Sequence, residues 1–203
     1  MAHILHIDSS PRGNRSVSRT LSDEFVDAWK VNHPSDSVTY RDLGHQPVPH
    51  VDEAWIAGAF APPETHTPEQ SQAIQVSDML VEEFLAAERY VLGVPMYNLN
   101  IPSTLKAYID QIVRVGLTFS VGANGYEGLV HGKKMLVVTA RGGAYPQGSP
   151  ADMQEPYLRL IFGFIGITDI TFIHADSLNL GDEARNKAVA DAQGAIKEAL
   201  VHW

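Results

Sequence analysis

Short apolar runs alternate with amphipathic segments along the whole chain. Five of these runs have the length and composition of strands. They cover residues 4–7, 38–43, 90–94, 134–139 and 168–174. The runs at 90–94 and 134–139 are largely apolar at successive positions, which predicts strands covered on both faces of a sheet.

Between the strands, apolar residues recur at steps of three and four, the period of a helix with one buried face. The pattern predicts helices at 16–33, 67–84, 102–115, 157–164 and 182–201, with a shorter one at 52–60. The helix after Thr67 has the clearest start, because a Thr cap, a Pro in the first turn and a Gln three positions on form a capping box. Its expected apolar stripe is Ala73, Val76, Leu80, Val81 and Phe84.

Strands that alternate with helices indicate a parallel sheet wound on both faces. The sequence shows no internal repeat, no low-complexity segment and no linker that would divide it. We therefore expect residues 1–203 to form a single α/β domain.

Composition narrows the chemistry available to the chain. Its 203 residues include no cysteine, which excludes disulfides, thiol nucleophiles, iron–sulfur clusters and cysteine-ligated zinc. A formal net charge of -9 disfavours nucleic acid as a partner. No polybasic tract indicates a membrane surface, and the first residues lack the pattern of a signal peptide. We expect a cytoplasmic protein that binds neither nucleic acid nor membranes.

In open α/β sheets, ligands bind beyond the carboxyl ends of the strands, so the loops there are the places to search. The loop at 9–18 is rich in serine, contains two arginines and runs directly into a helix N-terminus, which predicts an anion site. The alternative is a solvated turn in which Ser16 is an ordinary N-cap. Neither a Walker A loop nor G-x-G-x-x-G is present, so a terminal phosphate monoester fits better than a nucleoside triphosphate or a tightly held dinucleotide.

Two further loops follow the third and fourth predicted strands. The loop at 93–102 holds Met96, Tyr97 and two asparagines between prolines, and it could lay apolar side chains against a flat ring. The alternative is a plain strand-to-helix turn with Tyr97 half buried. The loop at 139–145 contains Gly142 and Gly143, which allow close backbone approach to a ligand and positive φ angles.

These loops carry a family resemblance that extends almost from end to end. The matching stretches are S-S-P-R-G-N-R-S-V-S, P-M-Y-N-L-N-I-P-S-T-L-K, N-G-Y-E-G-L at 124–129, G-K-K, A-R-G-G and G-F-I-G-I-T-D at 163–169. The chain resembles the FMN-dependent NADH:quinone oxidoreductases, also called FMN-dependent NADH-azoreductases, of the flavodoxin-like superfamily. The resemblance implies a doubly wound five-stranded parallel sheet with strand order 2-1-3-4-5 and non-covalently bound FMN. It also implies ping-pong transfer of two electrons from NADH or NADPH to a quinone or azo compound, in a homodimer with active sites at the interface.

The resemblance assigns roles to residues of this chain. Those expected to hold the FMN phosphate are Ser10, Ser16, Val17 and Ser18. Those expected beside the isoalloxazine ring are Pro95, Met96, Tyr97, Asn98 and Leu99, with backbone donors at Ala140, Arg141, Gly142 and Gly143. The expected substrate pocket is Phe119, Ser120, Tyr145 and Phe162. The helical spacing of Phe162 favours the alternative that this ring packs in the core. Leu99 stands where relatives commonly have an aromatic residue, Ala140 where they have serine, and Ser120 where they have larger side chains.

Other interpretations use the remaining features of the sequence. A flavodoxin-type electron carrier would bind FMN without turning over a small substrate, and a phosphate-binding regulatory module would bind no flavin.

The nine histidines show no paired metal-ligand spacing, and we expect no metal site and no obligatory catalytic acid or base. Tyr108, Gln111 and Val115 lie off the predicted core stripe of their helix, which suggests a dimer contact there.

Overall fold

A computed structural model describes residues 1–123, 125–146 and 148–203. The strands are β1 (His3–Asp8), β2 (Ser37–Asp42), β3 (Arg89–Pro95), β4 (Phe119–Gly122), β5 (Gly125–Gly128), β6 (Lys134–Ala140) and β7 (Asp169–Ala175). The helices are α1 (Val17–Asn32), α2 (Glu53–Phe60), α3 (Pro68–Ala86), α4 (Ser103–Ile112), α5 (Gln154–Phe164) and α6 (Asp182–His202). No helix in these three ranges is both long enough and apolar enough to cross a membrane.

Five strands form the central sheet in the order β2-β1-β3-β6-β7, and every neighbouring pair is parallel. Counted along the central sheet alone, this is the expected order 2-1-3-4-5. The reversal of order lies between β1 and β3, so their carboxyl ends meet at the edge where an α/β sheet binds its ligand.

The sheet is covered on both faces, which explains the continuous apolar runs. Side chains alternate across each strand, so Tyr90 and Leu92 pack with α3, α4 and α5, whereas Val91 packs with α1 and α6 on the other face. All three side chains are fully buried. A parallel sheet is buried on both faces because the helices that connect its strands pack against those faces.

The start of α3 confirms the capping box. The Gln70 amide donates to Thr67 Oγ1, and the Thr67 amide donates to Gln70 Oε1. Its stripe differs from the prediction, because Ile74 and Ser77 are buried while Ala73 and Val76 are only partly so.

The structure of helix α4 contradicts the dimer contact expected at Tyr108 and Gln111. It ends at Ile112, three residues before the predicted end, and Tyr108 is fully buried in the core. Gln111 is also buried, since its side chain accepts from Trp55 Nε1 at 2.8 Å and donates to the Pro49 carbonyl at 2.9 Å. Neither residue is available to a second chain.

Strands β4 and β5 form an antiparallel hairpin that the apolar pattern did not predict. Each strand is four residues long and contains glycine, so neither has a clear period. Gly128 lets the hairpin pack closely on the end of α5, because a Cβ there would lie 2.3 Å from the Gly166 nitrogen. Asn124, the first residue of the 124–129 motif, lies outside the described residues.

Candidate functional site

A cavity of about 230 Å³ lies at the carboxyl edge of the central sheet. Eight of the residues expected at the cofactor line it, and they are Ser10, Ser16, Val17, Pro95, Met96, Tyr97, Ala140 and Gly142. The lining also includes Arg12, Leu178, Asn179 and Arg185. The structure therefore brings the three predicted loops together and adds a fourth, the β7–α6 loop, together with the first turn of α6.

The serine-rich loop forms one end of this cavity. Ser16 is the N-cap of α1, and its Oγ accepts from the Arg19 amide at 3.4 Å and lies 3.2 Å from Ser18 Oγ. Among the described residues, no acceptor pairs with the amides of Val17 and Ser18 in the first turn. Free amides, clustered hydroxyls and the positive end of the helix dipole together suit an anion.

Hydrogen bonds from the buried Arg19 side chain fix the shape of this loop. Arg19 donates to the Ser10 carbonyl at 2.9 Å and makes two bonds to Asp42, at 2.7 and 2.9 Å. Gly44 passes close beneath, since a Cβ there would lie 2.1 Å from the Ser10 oxygen. The sequence pattern did not single out Arg19 or Asp42. Its one local signal was Arg19, a charged residue at a buried position of a helix.

Asp8 ends β1 within the same network and is fully buried. Burial raises the pKa of its carboxyl, while the nearby Arg19 guanidinium and hydrogen bonds from Tyr40 and Ser22 act in the opposite direction. The Tyr40 hydroxyl donates to Oδ2 and the Ser22 hydroxyl to Oδ1, each at 3.0 Å. The carboxylate is thus committed to internal partners.

His6, Asp8 and Asp23 resemble a metal site, because one donor atom of each lies within 4.8 Å of the others. His6 Nε2 lies 3.1 Å from Ser22 Oγ, and Arg19 Nη1 lies 3.5 Å from Asp8. The Arg19 cation and the hydrogen bonds to Asp8 and His6 compete with a metal ion for these atoms.

The β3–α4 loop forms the second wall as a tight turn. Tyr97 and Asn100 exchange backbone hydrogen bonds of 2.8 and 3.1 Å, and the two residues between them, Asn98 and Leu99, have φ angles of 49° and 69°. A left-handed leucine is uncommon and costs free energy, so neighbouring structure must hold this turn. Tyr97 is 38% exposed and Leu99 45%, which leaves an apolar surface beside the cavity.

The β6–α5 loop forms the third wall. The Gly142 carbonyl accepts from the Asn179 amide at 3.0 Å and the Gly143 carbonyl from the Ser177 amide at 2.8 Å. Their own amides have no acceptor among the described residues, and both could donate to a ligand. Neither glycine has a positive φ, which corrects that part of the expectation. At Gly142 the need is for space, because a Cβ would lie 2.4 Å from Asn179 Nδ2.

Arg141 does not match its expected role as a backbone donor. Its amide donates to the Ala175 carbonyl at 2.9 Å within the loop scaffold, so it is not free to bind a ring. Its side chain is 2% exposed and is paired with Asp176 and Asp152.

The structure does not bring the four expected substrate-pocket residues together. Phe119 and Ser120 begin the hairpin, and Phe119 lines an apolar cavity of about 330 Å³ beside α2 and α4. Tyr145 lines a separate cavity of about 530 Å³ between β7 and α5. Phe162 is 1% exposed in the core, where its ring lies 6.5 Å from that of Phe84, so the expectation that it lines a pocket is corrected.

The fold and this site can be set beside known proteins. A family model described as flavodoxin-like fold matches residues 2–200. An FMN-dependent NADH:quinone oxidoreductase of Trichormus variabilis is 67% identical over the full length of both chains. The crystal structure of azoreductase AzrA superposes with a TM-score of 0.93 at 29% identity, with both chains covered completely. An FMN-dependent NADH-azoreductase from Bacillus anthracis in complex with FMN gives a TM-score of 0.87 at 26% identity, covering 98% of this chain and 100% of the other.

The length and identity of these matches establish the family of this chain. The chain belongs to the flavodoxin-like fold family and, within it, to the FMN-dependent NADH:quinone oxidoreductases.

Proposed function

We propose that this protein binds FMN non-covalently and uses it to pass two electrons from NADH or NADPH to quinones and to aromatic azo compounds, which are cleaved. The observation that carries the proposal is the cavity where four loops meet at the carboxyl edge of the sheet. One end of it offers hydroxyls and the first two amides of α1, and the other offers an apolar turn. A flat ring system that ends in a phosphate needs both.

The residues at each end suit the parts of FMN by their chemistry. Ser10, Ser16 and Ser18, with the amides of Val17 and Ser18, would hold the phosphate. Arg12 and Arg185 in the cavity wall add positive charge toward a dianion.

At the other end, the loops would hold the ring. Met96, Tyr97 and Leu99 would flank it with Pro95 and Asn98, and the free amides of Gly142 and Gly143 would meet its polar edge. FMN, when bound, supplies the hydride and electron transfer chemistry, while the protein binds and orients it. We assign no residue of this chain as an obligatory acid or base.

The exposed apolar turn defines where substrates would bind. Tyr97 lines the cavity and is partly exposed, and Leu99, two residues later, is also partly exposed. Donor and acceptor would use this one face in turn, which gives a ping-pong order. Departures at Leu99, Ala140 and Ser120 bear on the choice of acceptor.

The rival function is a flavodoxin-type carrier, and turnover separates the two. Purified protein should be yellow, and it should oxidise NADH at a rate that depends on added quinone. A yellow protein without quinone-dependent turnover would support the carrier. A colourless protein that takes up no FMN would support a phosphate-binding module instead.

We further propose that residues 1–203 form one FMN-binding domain that acts in the cytoplasm as a homodimer, with the active site at its interface. The support is an apolar surface beside the 330 Å³ cavity, where Phe60, Val121 and Tyr126 are 75%, 61% and 71% exposed. Exposed clusters of this kind mark protein contacts. Sedimentation velocity should give a dimer, and Phe60→Glu should shift it toward monomer. A monomeric wild type would contradict the proposal.

A further inference from the structure

Arg141 is a fully buried cation that directly follows β6, and it bonds to the far end of its own loop and to the β7–α6 loop. Nε and Nη2 donate to the two oxygens of Asp176, at 2.5 and 3.1 Å. Nη1 donates to Asp152 Oδ2 at 2.7 Å. Asp176 follows β7, 35 residues from Arg141, and Asp152 precedes α5, 11 residues from Arg141. One guanidinium therefore joins the end of β6, the start of the β7–α6 loop and the start of α5.

The bonds from Arg141 to Asp176, called the Asp176 arm, hold the cavity wall made by the β7–α6 loop. That loop lies against the end of β6 through backbone bonds from Leu178 to Arg141 at 3.1 Å and from Asn179 to Gly142 at 3.0 Å. Asp176 also accepts from the Tyr145 amide at 3.4 Å. Leu178, Asn179 and Gly142 all line the 230 Å³ cavity.

The bond from Arg141 to Asp152, called the Asp152 arm, is linked to the wall made by the β3–α4 loop through the start of α5. The other oxygen of Asp152 accepts from the amides of Gln154 and Glu155, at 3.0 and 3.2 Å, and so caps the helix. The Met153 amide then donates to the Leu99 carbonyl at 3.1 Å, and buried Gln154 donates to the Val94 carbonyl at 3.2 Å. These bonds hold the turn in which Leu99 has its left-handed conformation.

We propose that Arg141 is a positioning residue that sets the width of the cavity, its Asp176 arm fixing the cofactor wall and its Asp152 arm fixing the turn that contacts the acceptor. The identity of the two ligands rests on the proposed function. A planar guanidinium is needed because only its fork can make two parallel bonds to one carboxylate and a third bond to another. Lysine has the charge without that geometry.

The first test measures the loops without any flavin. Amide hydrogen exchange on the apo-protein should be faster in Arg141→Lys than in wild type at 94–100, 142–145 and 175–181. The matched control is Arg41→Lys, which removes another forked pair, with Glu83 at 2.6 and 3.0 Å, between β2 and α3. Equal exchange in all three segments for Arg141→Lys and Arg41→Lys would overturn the proposal, whether or not FMN binds.

The second test separates the two arms. Asp176→Asn should raise the dissociation constant of FMN about tenfold, the usual effect of losing a charged hydrogen bond. Asp152→Asn keeps a capping oxygen, so it should raise the KM for quinone about tenfold while FMN affinity and kcat change less than about threefold. If Arg141→Lys does not fold, amide exchange, the FMN dissociation constant and the KM for quinone are measured on Asp176→Asn and Asp152→Asn, and these values test the proposal. Changes below twofold in both constants would overturn the proposal.

Discussion

Ser16 shows how one residue can serve both the fold and a ligand. Its Oγ caps the third amide of α1, while the first two amides of the helix have no acceptor among the described residues. Capping is a matter of geometry and tolerates any short side chain with an oxygen. Anion binding is a matter of charge and does not. Substitution at this position can therefore separate the two roles.

Ser16→Asp should weaken FMN binding by at least roughly tenfold, because a negative charge would lie next to the phosphate. The free energy of unfolding of the apo-protein should stay within about 1 kcal/mol, since Asp caps as well as Ser. Flavin fluorescence titration and urea unfolding measure the two quantities. Ser16→Asn is the matched control, which caps without charge. Unchanged affinity in Ser16→Asp would remove this loop from the site.

Gly142→Ala should lower FMN affinity and leave the fold intact. Its Cβ would lie 2.4 Å from Asn179 Nδ2, and that side-chain amide can move only by changing the cavity wall. Circular dichroism and FMN content after purification test both halves of the expectation. Gly194→Ala, at a helical position with open space around it, should be more stable and keep full FMN content. Full occupancy in Gly142→Ala would mean that Asn179 does not shape the site.

At the scale of elements, β1 and α1 bury a titratable cluster beneath the serine loop. Burial, with a smaller contribution from the Arg19 charge, lowers the pKa of His6 from 6.5 to about 4, although the Asp23 charge acts in the opposite direction. Burial likewise raises the pKa of Asp8 and of Asp23. The pairing of β1 with α1 is therefore sensitive to pH.

The sign of the His6 contribution follows from which state binds the proton. Below pH 6.5 the unfolded chain protonates His6, whereas the folded chain does so only near pH 4. Stability should therefore be full above pH 6.5 and fall as the pH drops toward 4, by at most about 1.4 kcal/mol per pH unit. The raised pKa values of Asp8 and Asp23 act oppositely at the acid end, so the comparison between variants is decisive.

His6→Asn should flatten this dependence in urea unfolding of the apo-protein between pH 4.5 and 7. His50→Asn, at an exposed position, is the control and should keep the wild-type slope. Parallel pH profiles for His6→Asn and wild type would show that His6 is not the group responsible.

At the scale of the whole molecule, the exposed turn of Tyr97 and Leu99 is the proposed binding face for both substrates, and this predicts the kinetic order. Two substrates that need the same face cannot bind productively together. Initial rates against NADH at several fixed quinone concentrations should therefore give parallel double-reciprocal lines. Anaerobic NADH alone should bleach the yellow holoprotein in stopped flow, and quinone added later should restore the colour. Intersecting lines would indicate a ternary complex and a second substrate face.

The sequence alone was sufficient for the five strands of the central sheet, for the helices and for three of the four cavity loops, but not for the β4–β5 hairpin. Helix periods, the capping box at Thr67 and the apolar runs of β3 and β6 depend on residues within a few positions of one another, so they can be read locally. The carboxyl ends of parallel strands meet at one edge, which placed Ser10, Met96 and Gly142 near each other before any coordinates. The fifth strand ends at the same edge, and including its loop would have found Asn179.

Only the tertiary structure decided which of these side chains face the cavity. Arg141 and Asp176 are 35 residues apart, and the sequence holds no local signal that pairs them. Tyr108 lies off the apolar stripe of its own helix, yet α3 and the sheet bury it. Burial and ion pairing depend on what other elements bring to the same place, whereas period and capping depend on the chain next to each residue. That difference in range is why the fold could be predicted from the sequence and the internal bracing of the site could not.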